Sequence, residues 1–501
     1  MASVEGSSDR SWTDDPTPSP TGVSGEASAQ LGEHALVLGA GVAGLLAASV
    51  LARRFARVTV VERDGPPDKV AARKGVPQAN HIHLLLIRGA QIIERLYPGF
   101  FDELEQDGGL VADSTRDLAF YHFGQWQPRG FSGLPTRMQS RALLEWHLYR
   151  RTSALPNVDV AHGAEVVEPV LDASARVRGV QLRRQATGET EEVGTDLVVD
   201  AAGRASPTPR WLKHAGLERP TESKVGLPIT YASRFFEAPA DHPDWQAMLV
   251  YPWAPHEHRG GALYLQEGNR WIATIASYRA ETPPTSDDEF LRFAAGLPNS
   301  EIHDQIARAT PASPIHTYHY PGARLVHYEK LRETLGRLVV LGDAVASVNP
   351  VFGQGMTSAA LQVEALAGCL ESTSELDAGF ECSFARAASR ACRQPWFMST
   401  TMDLRYPYAE GDRSIWQPLI NAYLGSFFRS TANSQGRLED LMRVLHLVSG
   451  PERWFRPAAL AAVVSAARWT PSAPDSSVPP PPRPRLRKVN LAGVAEESAR
   501  G

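Results

Sequence analysis

From residue 34 to about residue 469 the chain alternates short apolar runs with polar punctuation. Two runs, His34–Leu38 and Arg57–Glu62, have strand character and flank one uncharged, mostly apolar segment that reads as a helix. This is a βαβ unit. Gln139–Thr152 reads as a helix, and Val158–Val166, Val177–Gln185 and Leu197–Asp200 as strands. Between Val225 and Arg279 several β-like runs follow, including Gly261–Gln266 and Arg270–Ser277, with little helical periodicity. They predict an antiparallel sheet. Arg337–Leu341 is another short strand and Met356–Leu370 a helix, and Phe384–Trp469 reads as mainly helical with a break near Tyr406-Pro407. No internal repeat stands out.

The fold class that follows is α/β, α+β overall. A Rossmann-like domain is formed discontinuously by residues 34–220 and 320–380. A substrate-side antiparallel sheet at 221–319 is inserted into it, and a helical region at 381–469 follows. Residues 1–33 are rich in Ser, Thr, Pro, Gly and acidic side chains. They bury too little apolar surface to offset ordering entropy, so a disordered tail is expected. Residues 470–501, with the run Pro479–Pro482 followed by Arg483, Arg485, Arg487 and Lys488, read as a solvated polyproline tail.

Composition narrows the class. Hydrophobic residues are 43% and charged residues 21% of the 501, as in an ordinary globular protein. The net charge of −5 comes with scattered basic residues, which argues against a nucleic-acid surface. Cys369, Cys382 and Cys392 lack metal spacing and read as reduced thiols, consistent with a cytoplasmic protein. Arginine far outnumbers lysine, as in chains from GC-rich bacteria. His34–Ala52 has the length of a membrane span, but three central glycines and the acidic stretch before it favour a buried strand, turn and helix. Residues 1–33 lack the basic start of a signal peptide. Hydrolase and zinc signatures (G-x-S-x-G, H-E-x-x-H, C-x-x-C) are absent, and no metal site is expected.

Two glycine-marked turns carry the chemistry. In the first, Gly39, Gly41 and Gly44 form G-x-G-x-x-G between the strand ending at Leu38 and the helix opening at Val42-Ala43. The first glycine permits the turn, the second admits a phosphate to the backbone, and the third lets helix and strand pack. The helix N-terminus offers free N–H donors to a pyrophosphate. Glu62 ends the next strand, where a carboxylate accepts from a ribose hydroxyl. This turn does not by itself separate NAD from FAD. In the second, Gly342-Asp343 ends a strand, and Asn349-Pro350-Val351-Phe352-Gly353-Gln354-Gly355-Met356 bends into a helix. Asp343 suits a ribityl hydroxyl. The glycines let backbone approach a flat ring, and a helix N-terminus there would stabilise charge on a reduced flavin. Both turns together point to one long cofactor, FAD, with Phe352 and Gln354 near its reacting face.

The arrangement resembles the flavoprotein monooxygenases of the aromatic-hydroxylase and squalene-epoxidase superfamily over roughly Leu36 to Trp469. Gly39-x-Gly41-x-x-Gly44 with Glu62-Arg63 resembles the family's adenosine end, and Gly342-Asp343 with the 349–356 turn its ribityl and isoalloxazine end. The resemblance further implies FAD contacts from Arg73, Arg141 and the backbone of Val166. Within the superfamily the chain is most similar to bacterial epoxidases of polyether antibiotic biosynthesis, through Arg73–Leu85, Asp196–Ser206, and Gln394-Pro395-Trp396 with Asp403 downstream. One departure stands out. Where aromatic hydroxylases carry Asp-Gly, this chain has Ala202-Gly203, with Asp200 two positions earlier. The pair serves both FAD and the nicotinamide in the family, so NAD(P)H would reduce the flavin either directly or through a partner flavin reductase.

The resemblance implies an FAD-dependent monooxygenase. It would pass one oxygen atom from O₂, by way of a flavin C4a-hydroperoxide, to an apolar alkene of a secondary metabolite. No dedicated protein base is required, because the flavin carries the chemistry. Aromatic hydroxylation, prenyl double-bond reduction and non-catalytic FAD binding remain alternatives. A halogenase is disfavoured by the absence of Trp-x-Trp-x-Ile-Pro. Local hydrogen bonding is expected for His81 and His83, solvation for His256 and His258, and core packing for Trp253, Trp271, Trp396 and Trp416.

Overall fold

The computed structural model describes residues 30–279, 281–377, 379–466 and 479–482. The expected N-terminal tail up to residue 29 and most of the C-terminal tail lie outside them. The elements that build the site begin with β1 (Gly32–Leu38), α1 (Val42–Leu51), β2 (Phe55–Glu62), β3 (Leu118–His122), α2 (Arg141–Ser153) and β4 (Val158–His162). There follow β5 (Leu197–Asp200), β6 (Ile229–Glu237), β7 (Ala247–Val250), β8 (Arg259–Gln266), β9 (Arg270–Ser277) and β10 (His316–Tyr320). The last are β11 (Leu338–Val340), α3 (Gly355–Glu371), α4 (Phe380–Asp403), α5 (Gln417–Thr431) and α6 (Gln435–Leu445).

Five parallel strands form the first sheet, in the order β11-β5-β1-β2-β4. Parallel strands need crossovers and are buried on both faces, which explains the unbroken apolar run of β1. Helix α1 (VAGLLAASVL) is apolar on nearly every side because its residues pack with the sheet, α2 and α3 in one core. The strand expected over Val158–Val166 is in fact two. Gly163, at φ +63°, breaks it. Val158–His162 joins the parallel sheet, while Ala164–Leu171 leaves for an antiparallel sheet with Val177–Arg184 and Thr190–Gly194.

The second large sheet is antiparallel, as its sequence suggests, with one exception. Strand β3, from the segment before α2, runs parallel to β7, pairing Leu118 with Ala247 and Phe120 with Leu249. Strands β6 to β9 continue the sheet, and β10 pairs with β6. Period-two alternation gives the sheet two faces. One packs Met248, Leu263, Trp271 and Ile275 against Phe290 and Ile302 of the helices Asp287–Ala295 and Glu301–Ile306. The other faces α4 to α6 across a cavity.

Three smaller points differ from expectation or complete it. The proline run is held at Pro481, whose carbonyl accepts a 3.0 Å bond from the Arg129 guanidinium, and is therefore not simply a solvated spacer. The three cysteines are unpaired. Among the described residues, no helix is long and apolar enough to cross a membrane.

Candidate active site

The C-terminal ends of β1, β2, β5 and β11 converge on one cavity of about 690 Å³. That is where open α/β sheets bind ligands. At the first turn Gly39 sits at φ +94°. A β-carbon on Gly44 would lie 1.8 Å from the Gly39 carbonyl oxygen, so this glycine is needed for helix and strand to pack. Gly41, by contrast, is the N-cap of α1, and a β-carbon there would meet no atom within 4 Å. No side chain caps the helix. The first intrahelical bond runs from Leu45 N–H to Gly41 C=O, which leaves the N–H groups of Val42, Ala43 and Gly44 without intrahelical acceptors.

The second turn repeats the device. Gly342 and Gly353 take φ +72° and +64°, and α3 opens at Gly355 without a side-chain cap. The Ser358 N–H bonds to Gln354 C=O, so the amides of Gly355, Met356 and Thr357 are spare. Gly355 has open space around its β-carbon position. Two uncapped helix N-termini therefore serve one cavity. Asn349 fastens this turn to α4. Its backbone N–H donates to Ser399 Oγ (2.9 Å), its side-chain oxygen accepts from Val351 N–H (3.0 Å), and its side-chain NH₂ donates to Asp403 Oδ1 (2.7 Å). Burial pushes the Asp403 carboxyl up to about 7, against the lowering effect of that hydrogen bond.

Charge gathers near the first turn. Glu62 accepts from Ala40 N–H (2.9 Å) and Asp64 N–H (3.0 Å) and pairs with Arg73 (3.2 Å). Arg73 also reaches Glu145 (2.9 Å) and the Ala40 carbonyl (3.0 Å). It is largely engaged in holding the cradle. Arg141 gives Nε to Glu145 (2.8 Å), and its two terminal nitrogens have no protein partner among the described residues. Burial alone would raise the Glu145 pKa, but Arg141 and Arg73 hold it below the usual range. Asp343 is open to the cavity yet deep in the protein. Burial raises its pKa, with Arg141 and Arg204 pulling the other way.

Most residues singled out from sequence line this cavity. At the adenosine side these are Gly39, Gly41, Val42, Ala43, Glu62, Arg63, Arg73, Arg141 and Val166. Asp343, Pro350, Phe352, Gly353, Gly355 and Met356 line the other side. Two do not border it. Gly44 packs inside the turn. Gln354 is fully buried, with Nε2 3.6 Å from Met398 Sδ and Oε1 unpartnered, because the helix start turns its side chain toward α4. Asp200 also points away from the cavity. It is fully buried and accepts from Ala202 N–H (3.0 Å) and the hydroxyls of Ser206 and Thr208, while Ala202 and Gly203 border the cavity.

The rest of the wall went unrecognised in the sequence. Alternate residues Leu118, Phe120 and His122 of β3 face the cavity, beside Leu249 of β7, Ala262 and Tyr264 of β8, Thr274 and Ala276 of β9, Tyr231 of β6 and Tyr318 of β10. Met398, Met402, Leu424, Phe428, Leu441, Met442, Leu445, His446 and Trp454 close it from above. This lobe carries no Asp, Glu, Lys or Arg. The signal was the alternation in Leu118-x-Phe120-x-His122, too short to read without its partner strand.

His81 and His83 border the cavity and bond locally, His81 Nδ1 with Ser233 Oγ (2.8 Å) and His83 Nδ1 with the His81 carbonyl (3.0 Å). Burial pushes their pKa values down to about 4 and about 3. His258 is not simply solvated, since it pairs with Glu281 (2.9 Å). Trp271 stacks on Trp245 in the core, whereas Trp416 is 62% exposed, against the core-packing expectation.

Comparison with known proteins agrees with this geometry. The model of the FAD binding domain family matches residues 33–375. Protein Rv3254 of Mycobacterium tuberculosis is 32% identical over 79% of this chain and 86% of its own length. Kynurenine 3-monooxygenase of Salinispora tropica is 27% identical over 72% of this chain and 77% of its own. Among solved structures, a flavoprotein/dehydrogenase from Cytophaga hutchinsonii covers 87% of this chain and 98% of its own, with TM-score 0.61 and 14% identity, which is a likeness of fold.

Proposed function

We propose, because the chain belongs to the FAD binding domain family and is an FAD-dependent monooxygenase, that it delivers one oxygen atom from O₂ to an alkene of an uncharged, apolar metabolite, forming an epoxide. The observation that carries this reading is the lobe of the cavity without an ionisable acid or base of suitable pKa. A phenol-activating hydroxylase works best with a base whose pKa lies near the working pH. The histidines of this wall are held well below that, at about 4, about 3 and about 4 for His81, His83 and His446, with His122 also lowered. Epoxidation asks for no such base. Hydroxylation is the second reading, favoured by the likeness to kynurenine 3-monooxygenase. An amino-acid acceptor, however, would leave its carboxylate in this lobe without a direct cationic partner in the lining, at a steep desolvation cost.

The residues present fit FAD. Gly41 and Gly355 leave open cradles where side chains would stand, and two sets of spare helix N–H groups lie along one cavity. In this reading Val42, Ala43 and Gly44 offer amides to the pyrophosphate, and Arg141 adds its terminal guanidinium nitrogens. Glu62 accepts from the adenosine ribose and Arg63 and Val166 border the adenine, with Arg73 holding Glu62 in place. Asp343 takes a ribityl hydroxyl. Pro350, Phe352, Gly353, Gly355 and Met356 carry the ring, and the α3 N-terminus favours negative charge there. Bound FAD supplies the activation of O₂. The apolar floor orients the acceptor and excludes water, as such cavities do. Asp200, turned inward, leaves the Ala202-Gly203 turn without a carboxylate of its own, and in this reading electrons from NAD(P)H arrive through a flavin reductase. Incubating the holoenzyme with reductant, ¹⁸O₂ and a panel of apolar polyenes should place one ¹⁸O atom in an epoxide. Label drawn only from water, or oxygen entering only aromatic rings, would sink the reading.

A further inference from the structure

The four histidines along the cavity are not equivalent. His81 bonds with Ser233 Oγ (2.8 Å), His83 with the His81 carbonyl (3.0 Å), and His446 Nδ1 accepts from Ile87 N–H (3.4 Å). His122 is only 4% exposed, and its Nε2 is buried without a hydrogen-bond partner among the described residues. Its ring is enclosed by aromatic faces. Phe120 stacks at 5.5 Å between centroids, Phe123 lies at 4.3 Å, Tyr251 meets it edge-on at 5.1 Å, and Phe428 lies at 5.7 Å. An unpaired buried polar group is costly, and native proteins keep few of them. A phenylalanine would fill this aromatic nest without that cost. Desolvation, aided by the nearby positive charge of Arg405, lowers the pKa well below 6.5, so the ring is neutral and carries one donor and one acceptor.

We infer that His122 is a specificity-determining residue that hydrogen-bonds a single hydroxyl or carbonyl group of an otherwise apolar, uncharged substrate. The inference rests on the proposed use of this lobe for an apolar acceptor and adds the functional group by which that acceptor is anchored. Period-two alternation puts His122 on the same face as Leu118 and Phe120, so a molecule lying along the floor meets the imidazole with one polar point. A neutral imidazole can donate to a carbonyl or accept from a hydroxyl, and therefore suits either. A carboxylate would find no cation lining the lobe, because Arg405 lies behind the rings of Phe123 and Phe428. A site built around one hydrogen bond discriminates strongly against an analogue that lacks it.

The test uses oxidised holoenzyme and three probes: farnesol, the same hydrocarbon chain without the hydroxyl, and the corresponding carboxylate. Binding is read from the perturbation of flavin absorbance, without reductant, so it does not depend on oxygen transfer. Wild type should hold the alcohol about tenfold or more tightly than the hydrocarbon and should disfavour the carboxylate by a similar factor. His122→Phe should erase the preference for the alcohol while leaving hydrocarbon affinity unchanged or tighter. His122→Gln, which can donate and accept, should restore part of it, and it also serves if the phenylalanine variant does not fold. FAD content and melting temperature of each variant serve as folding controls. Equal wild-type affinities, binding of none of the probes, or a preference that survives in the folded variant would overturn the inference. If the preference holds while no ¹⁸O enters any alkene, the oxygen-transfer reading fails and the role of His122 stands.

Discussion

The two ends of the cavity are built on opposite principles. The cradle end is made of backbone: positive-φ glycines and spare amides at two helix starts. Its side chains are charged and mostly held in a fixed network of Glu62, Arg73, Glu145 and Arg141. The other end is made of side chains from β3 and β6 to β10 on one side and α4 to α6 on the other, and none of those lining it is charged. A cofactor shared by many enzymes can be gripped by backbone, which tolerates little variation. A particular acceptor is recognised by a surface of side chains, each on a strand or helix that would form regardless.

That contrast can be broken most decisively within the first turn. Gly44→Ala should prevent correct folding, at a cost of about 4 kcal/mol or more, because its β-carbon collides with the Gly39 carbonyl. Gly41→Ala should instead give a folded protein with little bound FAD, since its β-carbon enters only the open cradle. Thermal melts paired with flavin absorbance per protein separate the two. A folded Gly44→Ala protein with normal flavin would refute this division of labour.

Stability against pH sharpens the contrast at the floor and at the fastening of the second turn. His81, His83 and His446, at about 4, about 3 and about 4, and His122 below its usual value, are enclosed as neutral rings. In the unfolded chain they take protons near 6.5. Their contribution is present above pH 6.5 and is lost as pH falls through the folded values. Asp403 has the reverse sign. Raised to about 7, it contributes fully below about pH 4 and loses that contribution as pH rises through 7. Urea titrations should show stability climbing with pH from 4 to about 6.5, the histidines outweighing the raised carboxyls Asp403 and Asp343, and then declining slightly to about pH 8. Asp403→Asn should flatten the decline and steepen the climb that precedes it. A decline unchanged in that variant would count against the carboxyl as its source.

The smallest effect is expected at Gln354. Turned away from the cavity with Oε1 unpartnered, it should tolerate methionine within about 1 kcal/mol and with an unaltered flavin spectrum. A shifted spectrum would return Gln354 to the ring.

How much was legible from sequence follows from the same contrast. Backbone recognition demands glycine at set spacings next to a strand, so Gly39, Gly41, Gly44, Gly342, Gly353 and Gly355 could be found by reading. Asp343 and Arg141 came with them. The orientation of Gln354 could not be read, because one step of helix phase decides which side of the turn it takes. The break at Gly163 was missed because β-like residues continue on either side of it. The floor was invisible because Leu118, Phe120 and His122 acquire a face only through pairing with β7, more than a hundred residues later. The link from Asn349 to Asp403 joins two residues noticed separately, across two elements whose packing no local pattern encodes.

The parallel pairing of β3 with β7 also bears on how the molecule could be re-engineered. The segment at 221–319 has the outline of an exchangeable cassette. It is not separable, because the strand carrying Phe120 and His122 comes from the chain ahead of α2. A graft of 221–319 alone would bring a foreign sheet edge to a resident strand and mix two acceptor surfaces in one chamber. A working chimera must exchange residues 110–138 together with the later segment, carrying both halves of the seam across at once.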